Sequence, residues 1–425
     1  MKHDDRKPHD DRKGHHYYTP ASQADVYVYS SDDPCGHHGV GRIMRLAVII
    51  GEDNIVMQQS THTEVIEIDP LTPEAAKIEH AAALIRAGEV VIFPTETVYG
   101  LGANALQPQA VERIFVAKGR PLSDPLIVHI ADESDLPILT TNISATVQRL
   151  IAAFWPGPLT LIVPRGSKVP GIVSAGLATV AVRMPRHPVA LALIRAAGTP
   201  IAAPSANRFM HVSPTTAQHA LADLHGRVPL ILDSGPCAVG VESTVLDVCA
   251  EVPTILRPGG VSLETLQTIL PQVRLKTAQK EKGEEPLVYT SPGQMLTHYA
   301  PTIPLLLFDG VPEEMRTAML TEVQRRRQAG EHVGVLVADE DVRAFEQSGA
   351  VVQSLGSATA PKQVAAALFA GLRALEDAHV SVILCRNFDE KGLGLAIRDR
   401  LLRAASGKIF KQQVPQDQLH QKLER

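Results

Sequence analysis

The sequence predicts a two-domain α/β protein, with an N-terminal twisted mixed sheet flanked by helices and a smaller C-terminal Rossmann-like α/β domain. Two observations support this fold class. Short apolar runs alternate with stretches of helical spacing from Val65 onward, which is typical of α/β sheets. The alternation breaks at residues 271–303, where a charged stretch and a stretch rich in turn formers intervene. A chain of 425 residues is long enough to bury a core in each domain.

The first domain is predicted over residues 57–270. Its first helix begins at Thr72-Pro73-Glu74, which supply a cap, a proline and a carboxylate to the first turn, and it ends at Gly88. Helical spacing predicts further helices at 108–118, 146–153, 188–197, 214–224 (begun by Ser213-Pro214) and 262–270 (capped by Ser262). Apolar runs predict strands at 90–93, 126–130, 159–163, 180–184, 200–203, 230–233, 243–248 and 254–258. The close spacing of the last three strands indicates antiparallel neighbours and therefore a mixed sheet.

The second domain is predicted over residues 304–410, after a linker at 271–303 and before a tail at 411–425. Its strands are predicted at 305–308, 332–337 and 380–384, and its helices at 312–329, 361–377 and 393–405. This alternation of strands and helices is typical of one βαβαβ half of a Rossmann fold. No GxGxxG sequence is present, so the pattern does not predict a dinucleotide site.

Residues 1–56 differ from the rest of the chain. The opening MKHDDRKPHDDRKGHH mixes histidine with charges of both signs and has no apolar periodicity. We expect a disordered or non-native leader, with a functional start at Met57. Metal binding by the His-rich tract is the alternative that its composition leaves open.

Composition excludes several classes of protein. A formal net charge of −5 argues against a protein whose main role is non-specific nucleic-acid binding. The four cysteines show no CxxC spacing, so free thiols in a reducing, cytoplasmic compartment are expected. No apolar run approaches the length of a membrane helix. Since GxxxxGK[ST], HExxH and GxSxG are all absent, a P-loop, a zinc-protease site and a nucleophile elbow are not expected.

The stretch 91–130 contains the densest set of candidate site residues. A strand is followed by the polar turn PTETVYG, then by a helix whose end at Gly119 lies between Lys118 and Arg120, then by a strand that carries His129. Such an arrangement can hold an anion, although the two cations could equally be a solvated pair at a helix end. Arg183 is more specific, because it interrupts an apolar strand where an unpaired charge would be costly.

KGR and SAN occur in this order along the first domain, together with FPTETVYGLG, FWPGPLTLI, RMPRHP, SPTTA, GVESTV and ILRPGG. These motifs resemble those of the YrdC-like family of threonylcarbamoyl-AMP synthases, and KGR and SAN match the KxR…SxN signature of that family. This resemblance spans residues 64–270. SPGQMLTHYAP and GLGLAIRDRLLRAASG are similar to the longer, two-domain members, which extends the resemblance to about residue 407. The chain departs from the family's sequence pattern at two places. It has Asp124 where the family often has Asn, and Arg208-Phe209 where the family often has Ser-Gly.

The resemblance implies that L-threonine, bicarbonate or CO2, and ATP yield threonylcarbamoyl-AMP and pyrophosphate. The product is the activated intermediate for threonylcarbamoyl-adenosine, a tRNA modification next to the anticodon. The resemblance also implies Mg2+ as the cofactor that accompanies ATP, with no metal ligand from a protein side chain. It further implies hand-off of the product to a tRNA threonylcarbamoyltransferase, with direct tRNA binding weak or absent.

Carried over position by position, the resemblance implies catalytic roles for Lys118 and Arg120. The residues that it implies for L-threonine are Thr97, His129, Arg183, Ala203 and Ser243. Those that it implies for ATP are Lys118, Arg120, Asp124, Thr179, Ser205, Asn207, Ser213, Arg257 and Tyr299. We expect the segment 285–301 to fold over the site as a lid and to bring Tyr299 to the nucleotide.

Two alternatives belong to other functional classes. A YrdC-like module could bind double-stranded RNA without catalysis, although the acidic balance of the chain weakens this reading. A carbamoyl-transfer domain of the hydrogenase-maturation type would need acylphosphatase and zinc-finger segments, and this chain has neither.

Overall fold

A computed structural model describes residues 62–276, 290, 293 and 298–410. The predicted leader 1–56, the predicted tail 411–425 and most of the predicted lid lie outside the described residues. No helix in the described ranges is long and apolar enough to cross a membrane.

The first domain is built on an eleven-stranded sheet with the order β1-β8-β2-β3-β7-β4-β6-β5-β9-β10-β11. Its strands are β1 (Glu64–Glu67), β2 (Val91–Phe93), β3 (Gly100–Asn104), β4 (Ile127–His129), β5 (Leu159–Pro164), β6 (Thr179–Arg183), β7 (Ile201–Ala202), β8 (Leu230–Asp233), β9 (Thr244–Asp247), β10 (Thr254–Arg257) and β11 (Arg274–Leu275). Strands β4 and β6 pair in parallel, whereas β9 and β10 pair antiparallel. The predicted mixed sheet is therefore confirmed.

Helices cover both faces of this sheet. They are α1 (Ala75–Arg86), α2 (Pro108–Lys118), α3 (Leu136–Leu139), α4 (Ala145–Phe154), α5 (Pro188–Ala197), α6 (Ala217–Leu224) and α7 (Leu263–Ile269). Val91 and Phe93 pack with α1 and α5 on one face, and the intervening Ile92 packs with α2, α4, α6 and α7 on the other. This alternation follows from the two-residue period of a strand.

Three local predictions were wrong. Gly100, the last residue of the predicted polar turn PTETVYG, belongs to β3, which pairs antiparallel with β2. Helix α1 begins at Ala75, because the Asp69 carboxylate accepts the backbone N–H of Thr72 and holds that residue in a preceding turn. Helix α6 begins at Ala217 and not at Ser213-Pro214, since the Thr216 side chain caps it by accepting the N–H of His219.

The second domain is a five-stranded parallel sheet with the order β14-β13-β15-β12-β16. Its elements are β12 (Leu305–Phe308), α8 (Pro312–Gln328), β13 (Val333–Val337), α9 (Asp339–Phe345), β14 (Val351–Ser354), α10 (Pro361–Asp377), β15 (Val382–Arg386), α11 (Gly394–Ala404) and β16 (Ile409–Phe410). The parallel α/β architecture is confirmed. Strand β15 lies between β12 and β13, so the strand order differs from the 3-2-1-4-5 order of a Rossmann sheet. The sequence patterns missed α9 and β14.

The two domains share buried surface. Val98, Val212 and Val241 of the first domain belong to one hydrophobic cluster with Leu336 and Phe369 of the second. Because these three valines lie in loops at the strand ends of the first domain, the second domain packs directly behind those loops.

An ion-pair network also joins the domains. Arg373 on α10 pairs with Asp223 on α6 at 2.9 Å. His211 lies between Asp223 and Glu376, 3.0 Å and 3.2 Å from their carboxylate oxygens. Burial alone would lower the pKa of His211, but hydrogen bonds to both carboxylates raise it above its ordinary value. This network provides a polar anchor between the domains.

Substitution of Gly102 tests the packing of β3. A Cβ atom at Gly102 would lie 2.6 Å from Cε1 of Phe93 and 2.7 Å from Cγ2 of Ile201. We expect Gly102→Ala to lower the free energy of unfolding by about 1–3 kcal/mol, as overpacking does. Gly171→Ala is the matched control, since a Cβ there meets nothing within 4 Å. Equal denaturant midpoints for the two variants would contradict this account of β3.

Candidate active site

A buried cavity lies where the strands β2, β4, β6 and β7 end and β9 begins. It leaves about 50 Å³ that a water-sized sphere can reach, which is room for a few water molecules. The lining residues are Thr95, Thr97, Val98, Gly100, Arg120, Ile127, His129, Arg183, Ala203, Pro204, Ser205, Glu242, Ser243, Arg257, Gly293, His298 and Tyr299. Several loops distant in the sequence therefore meet here, as they do at the strand ends of other α/β sheets.

Arg183 occupies the end of β6 and is 3% exposed. Its Nη2 lies 2.7 Å from the carboxylate of Glu96, its Nη1 donates to Oγ1 of Thr97 at 3.0 Å, and its Nε donates to the carbonyl of Gly157 at 3.2 Å. Each terminal nitrogen carries two N–H groups, so the guanidinium retains N–H groups that can bind a ligand in the cavity. A buried cation in this setting is suited to a carboxylate or a phosphate.

His129 lies beside Arg183 at the end of β4. Its Nδ1 is 3.2 Å from the carbonyl oxygen of Ile127, and its ring meets Phe93 edge to face. Burial, with a smaller effect of Arg183, lowers the pKa of His129 to about 3. The imidazole is therefore neutral near pH 7, and adds no second positive charge beside Arg183.

Two further arginines reach the cavity wall. Arg120 forms an ion pair with Asp124 at 3.0 Å and donates from Nη2 to the carbonyl of Pro125 at 2.7 Å. Arg257 donates from Nη2 to the carbonyl of Ser243 at 2.9 Å. With Arg183, these side chains place three guanidinium groups on the wall, and guanidinium N–H groups are suited to bind a carboxylate or a phosphate.

Lys118 lies behind the wall and does not line the cavity. Its Nζ donates to the carbonyl of Ser205 at 2.7 Å and to the carbonyl of Asn207. Gly119, at φ 65°, ends α2 in the left-handed conformation and turns the chain from Lys118 to Arg120. Burial, followed by repulsion from Arg120, lowers the pKa of Lys118 well below its ordinary value. In this structure Lys118 holds the loop that follows β7.

Comparison with known proteins identifies the family. Residues 83–259 match the family described as "Telomere recombination", and residues 261–406 match "Threonylcarbamoyl-AMP synthase, C-terminal domain". The threonylcarbamoyl-AMP synthase of Bacillus subtilis is 45% identical over 344 residues, which cover 81% of this chain and 97% of that protein. The chain belongs to the threonylcarbamoyl-AMP synthase family.

Other relatives agree with this membership. The threonylcarbamoyl-AMP synthase of Pyrococcus abyssi is 41% identical over 339 residues, covering 80% of this chain and 96% of that protein. The crystal structure of P. abyssi Sua5 complexed with L-threonine superimposes with a TM-score of 0.77 at 40% identity, over 82% of this chain and 99% of that one. The chain is accordingly an enzyme of the threonylcarbamoyl-AMP synthase type. The RNA-binding module without catalysis is not favoured.

The structure brings most of the residues implied by the family resemblance to one place. Those on the cavity wall are Thr97, Arg120, His129, Arg183, Ala203, Ser205, Ser243, Arg257 and Tyr299. Lys118, Asp124, Asn207 and Ser213 are buried behind the wall. Thr179 is not among the lining residues. It starts β6, and Arg183 lies at the other end of that strand, about 13 Å away.

Sequence reasoning missed or left undecided three residues of this site. His298 was not singled out, and its Nδ1 has no hydrogen-bond partner within the described ranges. Glu96 was noted only as one of several polar turn residues, yet it pairs with Arg183. Glu242, in the motif GVESTV, was given no role from the sequence, and it lines the cavity. The motifs PTETVYG and GVESTV contained the last two, but no local signal gave their partners.

The neutral state of His129 can be tested through stability. Its pKa is 6.5 when unperturbed and about 3 in the folded protein. As the pH falls below 6.5, the unfolded chain binds a proton that the folded chain does not, so the folded state loses up to about 1.4 kcal/mol per pH unit. We expect the free energy of unfolding of His129→Gln to fall less between pH 7 and 5.5 than that of the wild type.

The exposed His225 provides the control for this experiment. His225→Gln removes a histidine from the surface and leaves the cavity unchanged, so it shows the effect of losing an imidazole outside the site. If His129→Gln and the wild type lose the same free energy over this pH range, the neutral assignment of His129 is wrong.

Proposed function

We propose that the cavity binds L-threonine, bicarbonate or CO2, and ATP, and converts them to threonylcarbamoyl-AMP and pyrophosphate. The observation that carries this proposal is the buried Arg183 guanidinium on the cavity wall, beside a neutral His129. A related structure, that of P. abyssi Sua5, was solved with L-threonine. The product would serve the modification of tRNA to threonylcarbamoyl-adenosine.

In this proposal, Arg183 binds the carboxylate of threonine through the N–H groups that Glu96 and Thr97 leave available. Thr97 and Ser243 offer hydroxyls to the same cavity, and Ala203 offers a small side chain next to them. The neutral imidazole of His129 does not repel Arg183 and can hydrogen-bond a polar group of the ligand. Threonine fits such a site because it is small and carries a carboxylate and a hydroxyl.

Arg120 and Arg257 are proposed to contact the phosphates of ATP, and Ser205 and Tyr299 to line the nucleotide side. Lys118, Asp124, Asn207 and Ser213 support that side from behind, since their side chains are committed to protein partners. Thr179 is included on the family resemblance alone. Arg120 is proposed to act on the phosphates directly, whereas Lys118 is proposed to act through the Ser205 loop that it holds.

The chemistry proposed for the site proceeds in two steps. The neutral amine of threonine attacks the carbon of CO2 and loses a proton, which gives a carbamate. A carbamate oxygen then attacks the α-phosphorus of ATP, and the bond to the β-phosphate breaks to release pyrophosphate. Both reactants of the second step are anions, so alignment and charge neutralisation by Arg120, Arg183 and Arg257 are the main contributions of the protein.

Mg2+ is proposed to enter with ATP. The carboxylate of Glu242 on the wall already accepts hydrogen bonds from Ser213 and Arg400. Since that carboxylate is already committed to protein donors, the residues present fit a magnesium ion that comes with ATP and takes no ligand from this wall. Bound with ATP, Mg2+ would supply charge neutralisation of the phosphates.

The segment that carries His298 and Tyr299 is proposed to act as a lid. Both side chains line the cavity, and the backbone N–H of Ala300 donates to the carbonyl of Met210 at 3.0 Å. The described residues of this segment therefore form part of the cavity wall and hydrogen-bond to the loop that carries Met210. Closure over a mixed anhydride would protect the product from hydrolysis.

The later fate of the product is also proposed from the family. Because the product is labile, we propose direct hand-off to a tRNA threonylcarbamoyltransferase, with little tRNA binding by this chain. The negative net charge supports weak RNA binding. The thiols of Cys237, Cys249 and Cys385 are free, which supports a reducing, cytoplasmic location.

The proposed reaction can be tested directly by incubating the protein with ATP, bicarbonate, Mg2+ and L-threonine. We expect pyrophosphate release that depends on threonine, and a product with the mass of threonylcarbamoyl-AMP. Omission of bicarbonate or replacement of threonine by alanine provides the controls. Pyrophosphate release that does not respond to threonine would refute the proposal.

Arg183 provides a sharper test of the threonine site. A hydrogen bond to a charged group contributes about 1.5–3 kcal/mol, and about 1.4 kcal/mol corresponds to a factor of ten. We expect Arg183→Gln to raise the KM for threonine at least tenfold. Arg183→Lys, which keeps a charge beside Glu96, should retain the fold and still bind threonine more weakly.

The matched control for this test is Arg186→Gln. Arg186 is exposed and donates to the carbonyl of Pro156, outside the cavity. Its substitution should leave the KM for threonine and the KM for ATP unchanged. An Arg183→Lys enzyme with the threonine KM of the wild type would exclude the proposed carboxylate contact.

A further inference from the structure

The second domain contributes a buried cation to the cavity region of the first. Arg400 on α11 is 1% exposed, although it is one of the longest side chains. Its Nε donates to the carboxylate of Glu242 at 2.7 Å, and its Nη2 donates to the carbonyl of Pro258 at 3.0 Å. Both acceptors belong to the first domain, so Arg400 crosses the domain interface.

The partner of Arg400 is part of the cavity wall. The other carboxylate oxygen of Glu242 accepts a hydrogen bond from the Ser213 hydroxyl at 2.6 Å. Burial by itself would raise the pKa of Glu242, but Arg400 and Arg257 hold that pKa below its ordinary value. Glu242 is therefore a negative charge on the wall of a cavity whose proposed ligands are anions.

Arg400 also contacts the segment proposed as a lid. Its guanidinium carbon lies 4.9 Å from the centre of the Tyr299 ring, a cation–π geometry. Phe369 of the second domain stacks on the same ring with centroids 5.7 Å apart. Tyr299 has φ 58°, a conformation that a residue with a side chain adopts only when tertiary contacts support it. One side chain of the second domain thus touches both Glu242 and Tyr299.

We propose that Arg400 is a positioning residue for the ATP side of the site, which neutralises Glu242 and holds the Tyr299 ring against the cavity. The proposal rests on the proposed function, since it assigns Arg400 to the binding of that ATP. Without Arg400, the Glu242 carboxylate would repel the triphosphate, and Tyr299 would lose a contact that supports its backbone conformation. The second domain completes the active site through this residue.

Arg400 is separable from the general docking of the domains. The ion pair between Arg373 and Asp223 and the shared hydrophobic cluster join the domains at other places. Docking is therefore expected to survive the loss of Arg400. Arg398, on the same helix, pairs with Asp309 and Glu390 inside the second domain, so it provides a matched control.

The test uses the full-length variants Arg400→Met, Arg400→Lys, Glu242→Gln, the double variant Arg400→Met/Glu242→Gln, and Arg398→Met. For Arg400→Met we expect the KM for ATP to rise at least tenfold, and the KM for threonine to change less than about threefold. Glu242→Gln combined with Arg400→Met should recover most of the ATP affinity, since no uncancelled carboxylate remains on the wall. Arg398→Met should match the wild type in both constants.

Several results would overturn the proposal. Equal increases in the two Michaelis constants would indicate a general structural defect, and so would a double variant that binds ATP no better than Arg400→Met. If Arg400→Met does not fold, as judged by its thermal midpoint, Arg400→Lys carries the test. A tenfold or larger rise in the ATP KM with little change for threonine supports the proposal, and wild-type values for both ligands contradict it.

Failure of the proposed function can be distinguished from failure of the role proposed for Arg400. It would appear as wild-type protein that releases no pyrophosphate in response to threonine. In that case, equilibrium binding of ATP to the wild type and to the same variants replaces the kinetic readout. Weaker ATP binding by Arg400→Met, restored in the double variant, would still support the role of Arg400, whereas equal binding by all variants would exclude it.

Discussion

A buried guanidinium group requires a partner, and this constraint organises the whole site. An arginine removed from water is tolerated only where carboxylates or carbonyl oxygens replace the lost hydration. Among the buried arginines in and directly behind the cavity wall, three lie 2.7–3.0 Å from a carboxylate, and Arg257 donates to the carbonyl of Ser243. The pairs are Arg120 with Asp124, Arg183 with Glu96, and Arg400 with Glu242. The loops that carry these residues must meet for the charges to be paired, so the cavity and the ion pairs form together.

The pairing also prepares the site for anionic ligands. Arg183 and Arg120 are oriented by protein partners before any ligand arrives, so little reorganisation is needed on binding. A second set of residues acts one step away from the wall. Lys118 holds the loop after β7, and Ser213 holds Glu242. A single sequence motif can therefore contain residues that face the cavity as well as residues that position those residues from behind.

The second domain is part of this arrangement and not an independent attachment. Its hydrophobic cluster includes Val98 and Val241, which belong to the loops that form the cavity. Tyr299 lies in the same cluster and also lines the cavity. Arg400 extends the charge pairing across the interface. Catalytic parts of a two-domain enzyme are commonly assembled at such an interface, where small movements open and close a site.

Much of the fold could be predicted from local sequence patterns. Helix α10 was predicted at its observed bounds, and α2 was predicted to end at Gly119, because apolar periodicity and end signals are properties of neighbouring residues. Strand β3 was missed, since its closely spaced glycines resemble a turn and its pairing with β2 and β7 leaves no local pattern in the sequence. The two-residue strand β11 is too short to show any period.

The sequence by itself determined the α/β class, the mixed sheet of the first domain, the family and the loops that hold the site. Tertiary structure alone decided which charges are paired and which side chains face the cavity. Glu96 is paired with Arg183 across 87 positions, and Glu242 with Arg400 across 158. The physical reason is that a charge selects its partner by distance in space, whereas sequence patterns report only the neighbours along the chain.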